Sequence, residues 1–300
     1  MVYRKVGVFL SEPIVIRVRR EFNFKKFLEI LCENGAEALE IPEKLKLKQN
    51  EIKILKQLKK DYDLSYAIHS SSPGGYISLY LHPMKFYKRF KKCIEYTKIF
   101  DGEIITIDLD SYFAEPGVTY EEVKDYLFSL CVQNLRIAYK LGRENNIAVG
   151  FENGDVRDWA VSYYIKFNMT LDEMLEFVNA VPELKITLDI GHLYLASNYF
   201  GFDMFRYIKT FAKRIVHVHV DDNFGLDTGF GTKSRKYGDL HLPLDHGNLP
   251  WREVIKLLNN LGYEGIYSLE IKPYRISDNL NKMIDLIVES IKKLRNVLGK

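Results

Sequence analysis

Six short runs of this chain end in a side chain that can move a proton or hold a metal ion: His69, Asp108, Glu152, Asp189, His219 and Glu270. Imidazoles and carboxylates are the usual general acids and bases. They are also the ligands that zinc, manganese, cobalt and magnesium take. Four carboxylates brought to one buried place repel each other and lose their hydration. Imidazoles relieve that only in part, whereas a divalent cation neutralises it. The spacing of these residues therefore points to a metal-assisted site, provided the fold brings them together.

The runs carry a common pattern. In 215–221, Val216, Val218 and Val220 alternate with His217, His219 and Asp221. In 185–192, Ile186, Leu188 and Ile190 alternate with Thr187 and Asp189, and in 147–153 Val149 and Phe151 oppose Gly150 and Glu152. Tyr267, Leu269 and Ile271 oppose Ser268 and Glu270; Tyr66 and Ile68 oppose Ala67 and His69; Ile105, Ile107 and Leu109 oppose Thr106, Asp108 and Asp110. A period of two is that of a strand, with one apolar face and one small or polar face.

Two further runs, 5–10 and 38–41, are also rich in strand formers, which makes eight with 64–70, 103–110, 147–153, 185–192, 215–221 and 265–272. Helical patterns lie between them, at 23–34, 50–62, 84–100, 120–145, 171–181 and 251–261. A last one places Leu280, Met283, Ile284, Ile287, Ile291 and Leu294 on one face. Thr170 followed by Glu173 reads as a capping box. Eight strands alternating with helices predict an α/β fold of the (β/α)8 TIM-barrel type, one domain over residues 1–300. An open doubly wound sheet would bring a glycine-rich turn after the first strand, where this chain has Ser11-Glu12-Pro13. In such a barrel the six ionisable residues sit at the C-terminal rim, where barrel enzymes carry their sites.

The bulk properties narrow the partners. With 43 basic and 40 acidic residues the net charge is +3, too small an excess to argue by itself for nucleic acid or a membrane surface. Cys32, Cys93 and Cys131 are odd in number and far apart, which fits a reducing, cytoplasmic setting better than a disulfide framework. No run is apolar for long enough to span a bilayer. The sequon Asn168-Met-Thr170 reads as chance. His82 reads as a helix-start residue and His217, deeper in its strand than His219, as a packing residue or support for the site. His246 reads either as a surface loop residue or as a substrate contact.

The ordered motifs Phe151-Glu-Asn-Gly154, Leu188-Asp-Ile-Gly-His192, His217-Val-His-Val-Asp-Asp-Asn223, Asp239-Leu-His-Leu-Pro-Leu244 and Ser268-Leu-Glu-Ile271, with the weaker Ala67-Ile-His-Ser70, span most of the chain. In them the chain resembles the xylose-isomerase-like barrel superfamily, which holds sugar isomerases, ketose epimerases and the endonuclease IV group. The resemblance implies Glu152, Asp189, His219 and Glu270 as ligands of a divalent metal, with Glu152 and Glu270 as the acid/base pair. It implies His192 as a substrate or further metal contact, and His69, Asp239 and His241 as further ligands of the endonuclease type. Asp108 stands where that group has a histidine, and Gly225 lies near the place where the epimerases hold a sugar with arginine. The loop Asp245-His-Gly-Asn248 replaces the usual Gly-x-Gly.

Two activities follow from the resemblance. The favoured one is a metal-dependent isomerase or epimerase of a small sugar or sugar-like polyol, with the segment Asp155–Asn168, bearing Trp159, Tyr163 and Tyr164, closing over the ligand. The alternative is a zinc phosphodiesterase acting on abasic DNA, with the loop Lys233-Ser-Arg-Lys236 touching phosphates. A third, non-enzymatic reading keeps the metal in a barrel that binds a small ligand or a protein partner.

Overall fold

The computed structural model describes residues 4–70, 78–109, 112–113, 119–156, 164–165, 167–225 and 238–300. Eight parallel strands close into a barrel: β1 (Lys5–Phe9), β2 (Ala38–Pro42), β3 (Ser65–Ser70), β4 (Ile104–Ile107), β5 (Ala148–Glu152), β6 (Ile186–Asp189), β7 (Ile215–Val220) and β8 (Ile266–Leu269). Each pairs with its neighbour in sequence, and β8 closes on β1. The helices are α1 (Glu12–Glu21), α2 (Phe24–Glu33), α3 (Gln49–Tyr62), α4 (Pro83–Ile99), α5 (Tyr120–Glu144), α6 (Leu171–Ala180), α7 (Ile190–Phe200), α8 (Met204–Phe211), α9 (Trp251–Asn260) and α10 (Leu280–Val297). Tyr112–Phe113 and Tyr164–Ile165 form a small antiparallel pair apart from the barrel. No helix among the described residues is long and apolar enough to cross a membrane.

All eight expected strands are present, and alternation sorts their side chains as expected. Val6, Val8, Leu39, Ile41, Tyr66, Ile68, Ile105, Ile107, Val149, Phe151, Leu188, Val218, Val220, Tyr267 and Leu269 join one buried core. Phe27, Leu55, Phe90, Phe177, Ile255 and Ile287 on the helices pack into the same core. Val216 departs from the row: the register shifts between Ile186 and Thr187, whose partners are Ile215 and His217, and Val216 is half-buried at this bulge.

Inside the barrel the side chains stack in layers. Ala38, Ala67, Ile104 and Ile266 make an apolar floor. Above them come Glu40, His217 and a pair of threonines, Thr106 and Thr187, whose hydroxyls lie 3.0 Å apart. The rim carries the ionisable set.

Helix starts follow the chain's capping chemistry. The Thr170 hydroxyl accepts the Glu173 N–H at 3.3 Å, while the Glu173 carboxylate accepts the Thr170 N–H at 2.9 Å, the expected box. His82 caps α4 by accepting the Met84 N–H. Three helices escape the periodic reading. α1 is rich in β-branched residues, α7 is apolar on most sides, and α8 is only eight residues long. Asn168 is fully buried and donates to the Glu152 carbonyl at 2.6 Å, which removes it as a glycosylation acceptor.

Candidate metal centre and active site

The rim residues are placed by bonds between strand ends. The Asn153 amide, next to Glu152, donates to the Asp189 carbonyl at 2.9 Å and accepts the Asp189 N–H at 2.8 Å. This ties the end of β5 to the end of β6. Asp189 closes β6 and caps α7, its Oδ1 accepting the His192 N–H at 2.7 Å. His192 therefore belongs to the first turn of a helix, not to a strand end, because the carboxylate three residues before it caps that turn. Gly191 between them touches Asp221; a methyl there would lie 2.1 Å from Asp221 Oδ1.

His219 is the hub. Its Nδ1 lies 2.9 Å from Glu152 Oε1, 2.9 Å from Glu270 Oε2 and 3.7 Å from Asp189 Oδ2. All four residues expected to hold one metal thus meet at one imidazole nitrogen. His69 joins them, its Nε2 3.2 Å from Glu152 Oε2 and its ring stacked on that of His219. Donor atoms of His69, Glu152, His219 and Glu270 all lie within 4.8 Å of one another.

A second group adjoins the first. His192 Nδ1 donates to the Asn153 carbonyl at 2.9 Å. Its Nε2 is thereby turned toward Asp239 Oδ1 at 3.6 Å and Asp189 Oδ2 at 3.9 Å. His241 Nε2 lies 2.6 Å from Asp239 Oδ2, and its Nδ1 lies 2.8 Å from Asp221 Oδ2. His241 adopts the left-handed backbone with φ of 44°, a conformation that costs a non-glycine residue roughly 1 kcal/mol or more and gathers at functional sites. Asp108 lines the cavity but falls outside every close donor group among the described residues.

These groups open into a cavity of about 330 Å³, whose walls include Phe9, Lys44, His69, Glu152, Glu270, Lys272 and Tyr274. His246 lines a separate apolar cavity with Phe224, Leu240 and Ile276. Asp110, Trp159, Tyr163 and the loop Lys233-Ser-Arg-Lys236 lie outside the described residues.

Charge is unevenly distributed. Burial pushes the Glu152 carboxyl up, but His219 and His69 outweigh it and hold it well below the usual range. The same contest, with His219 and His241, leaves Glu270 at about 2. Burial alone would lower the His219 imidazole, but Glu40, Glu152 and Glu270 raise it well above the ordinary value. Asp221 is pushed up to about 7 by burial and by Asp189. The donor set fits a divalent cation. Among the described residues, Asp189 Oδ2 and Asp239 Oδ1 are buried oxygens with no hydrogen-bond partner, and Glu270 Oε2 meets only the His219 nitrogen that Glu152 also faces, a costly state that a shared cation would relieve.

Several residues escaped the sequence reading. Asn153 and Asp221 sat inside quoted motifs without a role. Lys272, 3.6 Å from Asp239 Oδ2, had none either. Glu40 is 1% exposed; its two oxygens accept from His217 Nε2 at 2.9 Å and His219 Nε2 at 3.1 Å. Its one signal is the inward parity it shares with Ala38 in β2.

The family model for the xylose isomerase-like TIM barrel matches residues 28–297. The chain is 27% identical over 281 residues to the uncharacterized protein MJ1311 of Methanocaldococcus jannaschii, covering 89% of this chain and 82% of that one. A D-tagatose 3-epimerase-like protein superposes with a TM-score of 0.71 at 22% identity, covering 98% of this chain and 97% of that one. The IOLI protein, whose structure has a bound zinc atom, superposes at 0.67 with 17% identity and 98% of both chains covered. With its closed eight-stranded barrel and a match over nearly its whole length, the chain belongs to the xylose isomerase-like TIM barrel family.

Proposed function

We propose that the protein is a divalent-metal-dependent isomerase or epimerase of a sugar or sugar-like polyol. The observation that carries this reading is the meeting of Glu152, Asp189 and Glu270 at His219 Nδ1, with both glutamates at 2.9 Å. These four residues hold the ion, which is zinc, manganese, cobalt or magnesium. When bound, it supplies Lewis-acid polarisation of a substrate carbonyl and the hydroxyl beside it. The zinc atom of the IOLI protein and the epimerase-like description of the other structural relative support the choice.

The chain's own residues supply the proton transfer. Glu152 and Glu270 are both kept ionised by neighbouring imidazoles. One takes the proton from the carbon α to the carbonyl and can return that same proton to the neighbouring carbon; for delivery to the opposite face, the other first takes a proton from water or a substrate hydroxyl and then gives it to the carbon. His192 and Lys272, on the cavity wall, orient substrate hydroxyls, while Phe9 walls off water. The test is to load the protein with each of the four metals and incubate it with a panel of ketoses and aldoses in D2O. The proposal expects deuterium at the carbon α to the carbonyl; no incorporation across the panel would refute it.

One observation favours a second reading. His192, Asp239 and His241 form their own donor group beside the first, as a zinc phosphodiesterase acting on abasic DNA would need for two or three ions. Elemental analysis separates the two. One metal per chain supports the isomerase; two or three zincs, with nicking of an abasic duplex, support the phosphodiesterase.

A further inference from the structure

We propose that Glu40 is a positioning residue: it accepts a hydrogen bond from each of two imidazoles and so fixes His219 with Nδ1 turned toward the carboxylates of the metal site. The inference rests on the metal-dependent reading above. Glu40 rises from β2, flanked in the barrel by β1 and β3, and reaches across the interior to β7. Its register partner on β3 is the small Ala67; on β1 it is level with Phe9, and Gly7 lies one inward position below, level with Ala38. At Gly7 a methyl would lie 2.8 Å from Ile266 Cγ2. Ala67 beside the glutamate, with Gly7 and Ala38 beneath it, leaves room for its side chain to cross.

At the far end each carboxylate oxygen takes one ring. Oε2 accepts from His217 Nε2 and Oε1 from His219 Nε2. Because both oxygens are engaged, the carboxylate cannot swing to serve one ring alone. For both rings to donate, both must carry the proton on Nε2. A neutral His219 then has its lone pair on Nδ1, the atom that faces Glu152, Asp189 and Glu270. Turning the ring over would put carbon where the Glu40 bond is made. A carboxylate behind a ligating histidine sets both the tautomer and the orientation of the ring.

Glu40→Gln separates this role from simple packing. The amide keeps the size of the side chain but offers one acceptor and one donor. One of the two rings must then present a lone pair at Nε2 and carry its proton on Nδ1. If that ring is His219, its ligating atom is blocked. Glu40→Asp keeps both acceptor oxygens on a shorter stem.

The experiment titrates zinc into the metal-free full-length protein against a chromophoric chelator. The histidine ring nitrogens are followed in parallel by 15N NMR at a pH high enough for the raised His219 imidazole to be neutral, and metal-free melting monitors folding. We expect zinc affinity about 10–100-fold weaker in Glu40→Gln, with an altered His219 tautomer, and recovery of most of the affinity in Glu40→Asp. Unchanged affinity and unchanged ring signals in Glu40→Gln would overturn the proposal. A lower melting temperature with both of those unchanged would also overturn it, because Glu40 would then serve packing alone. If the unaltered protein takes up no zinc, the metal-dependent reading falls, and the His219 ring signals still decide whether Glu40 sets the tautomer. If Glu40→Gln does not fold, Glu40→Asp decides: the parent tautomer at His219 supports the proposal, and a changed tautomer overturns it.

Discussion

Replacing Asn153 by alanine tests whether the proposed metal site is held by the tie between strand ends. The side chain makes two hydrogen bonds, to the N–H and the carbonyl of Asp189, at 2.8 and 2.9 Å. Both partners are buried in a residue with no exposed surface. Leaving a buried polar group unpaired costs about 1–3 kcal/mol, so Asn153→Ala should lose roughly 2–6 kcal/mol in urea unfolding at an unchanged m-value. The same change frees Asp189, whose Oδ2 faces the site, so zinc affinity should fall about tenfold or more. Asp222→Ala is the control. Asp222 accepts the N–H groups of Asp245, Gly247 and Leu249 at 2.9–3.0 Å and anchors a loop. It should cost as much stability and leave zinc affinity intact. The reasoning fails if Asn153→Ala costs less than about 1 kcal/mol, or if both variants weaken zinc equally, since general loosening would then explain the loss.

Three other outcomes follow from the same geometry. The Glu43 carboxyl is raised from 4.5 to about 7 by burial, with Arg89 opposing; the folded chain therefore holds a proton that the unfolded chain has released between those values. Stability from this group is full below pH 4.5, falls by at most about 3 kcal/mol as pH rises to 7 and is flat beyond. Urea midpoints of Glu43→Gln across pH 4–8 should lack that fall. Gly191→Ala puts a methyl against Asp221 and should cost about 1–3 kcal/mol, read as a lower urea midpoint; an unchanged midpoint would show that the turn has room. His192→Ala removes a donor that sits between Asp239 and His241 on one side and Glu152 and Asp189 on the other, so if two ions bind, elemental analysis should show one metal fewer per chain.

The barrel was legible because its two faces differ so strongly in chemistry. Val218 and Val220 against His217 and His219, or Leu188 against Thr187 and Asp189, announce a strand with an apolar outside and a reactive inside. Six rim residues followed from that alternation alone, and the structure gathers five of them, leaving Asp108 apart. His192 was placed in the strand because Ile190 continues the β-branched run; only the bond from Asp189 shows that the chain has already turned into α7. Asn153 and Lys272 were invisible for a different reason. Their value lies in partners 36 and 33 positions away, and nothing local marks them.

Glu40 exposes the limit of reading strands one at a time. A single acidic residue between Leu39 and Ile41 looks like an interruption of an apolar run, and its partners lie 177 and 179 residues downstream. Yet its parity is that of the reactive face. A charge buried on that face with no cation in its own strand must find partners across the barrel. In β2 the inward candidates above and below Glu40 are Pro42 and Ala38, neither of which can donate a proton. The donors had to come from another strand, and His217 and His219 are the one inward pair of imidazoles in successive positions. The lower layer of the site is thus neutralised from within the chain by fixed partners. Among the described residues, the rim keeps buried oxygens on Asp189 and Asp239 without hydrogen-bond partners, and Glu152 and Glu270 share one His219 nitrogen. The proposed cation would therefore act at the rim, where Glu152, His192 and Glu270 line the cavity.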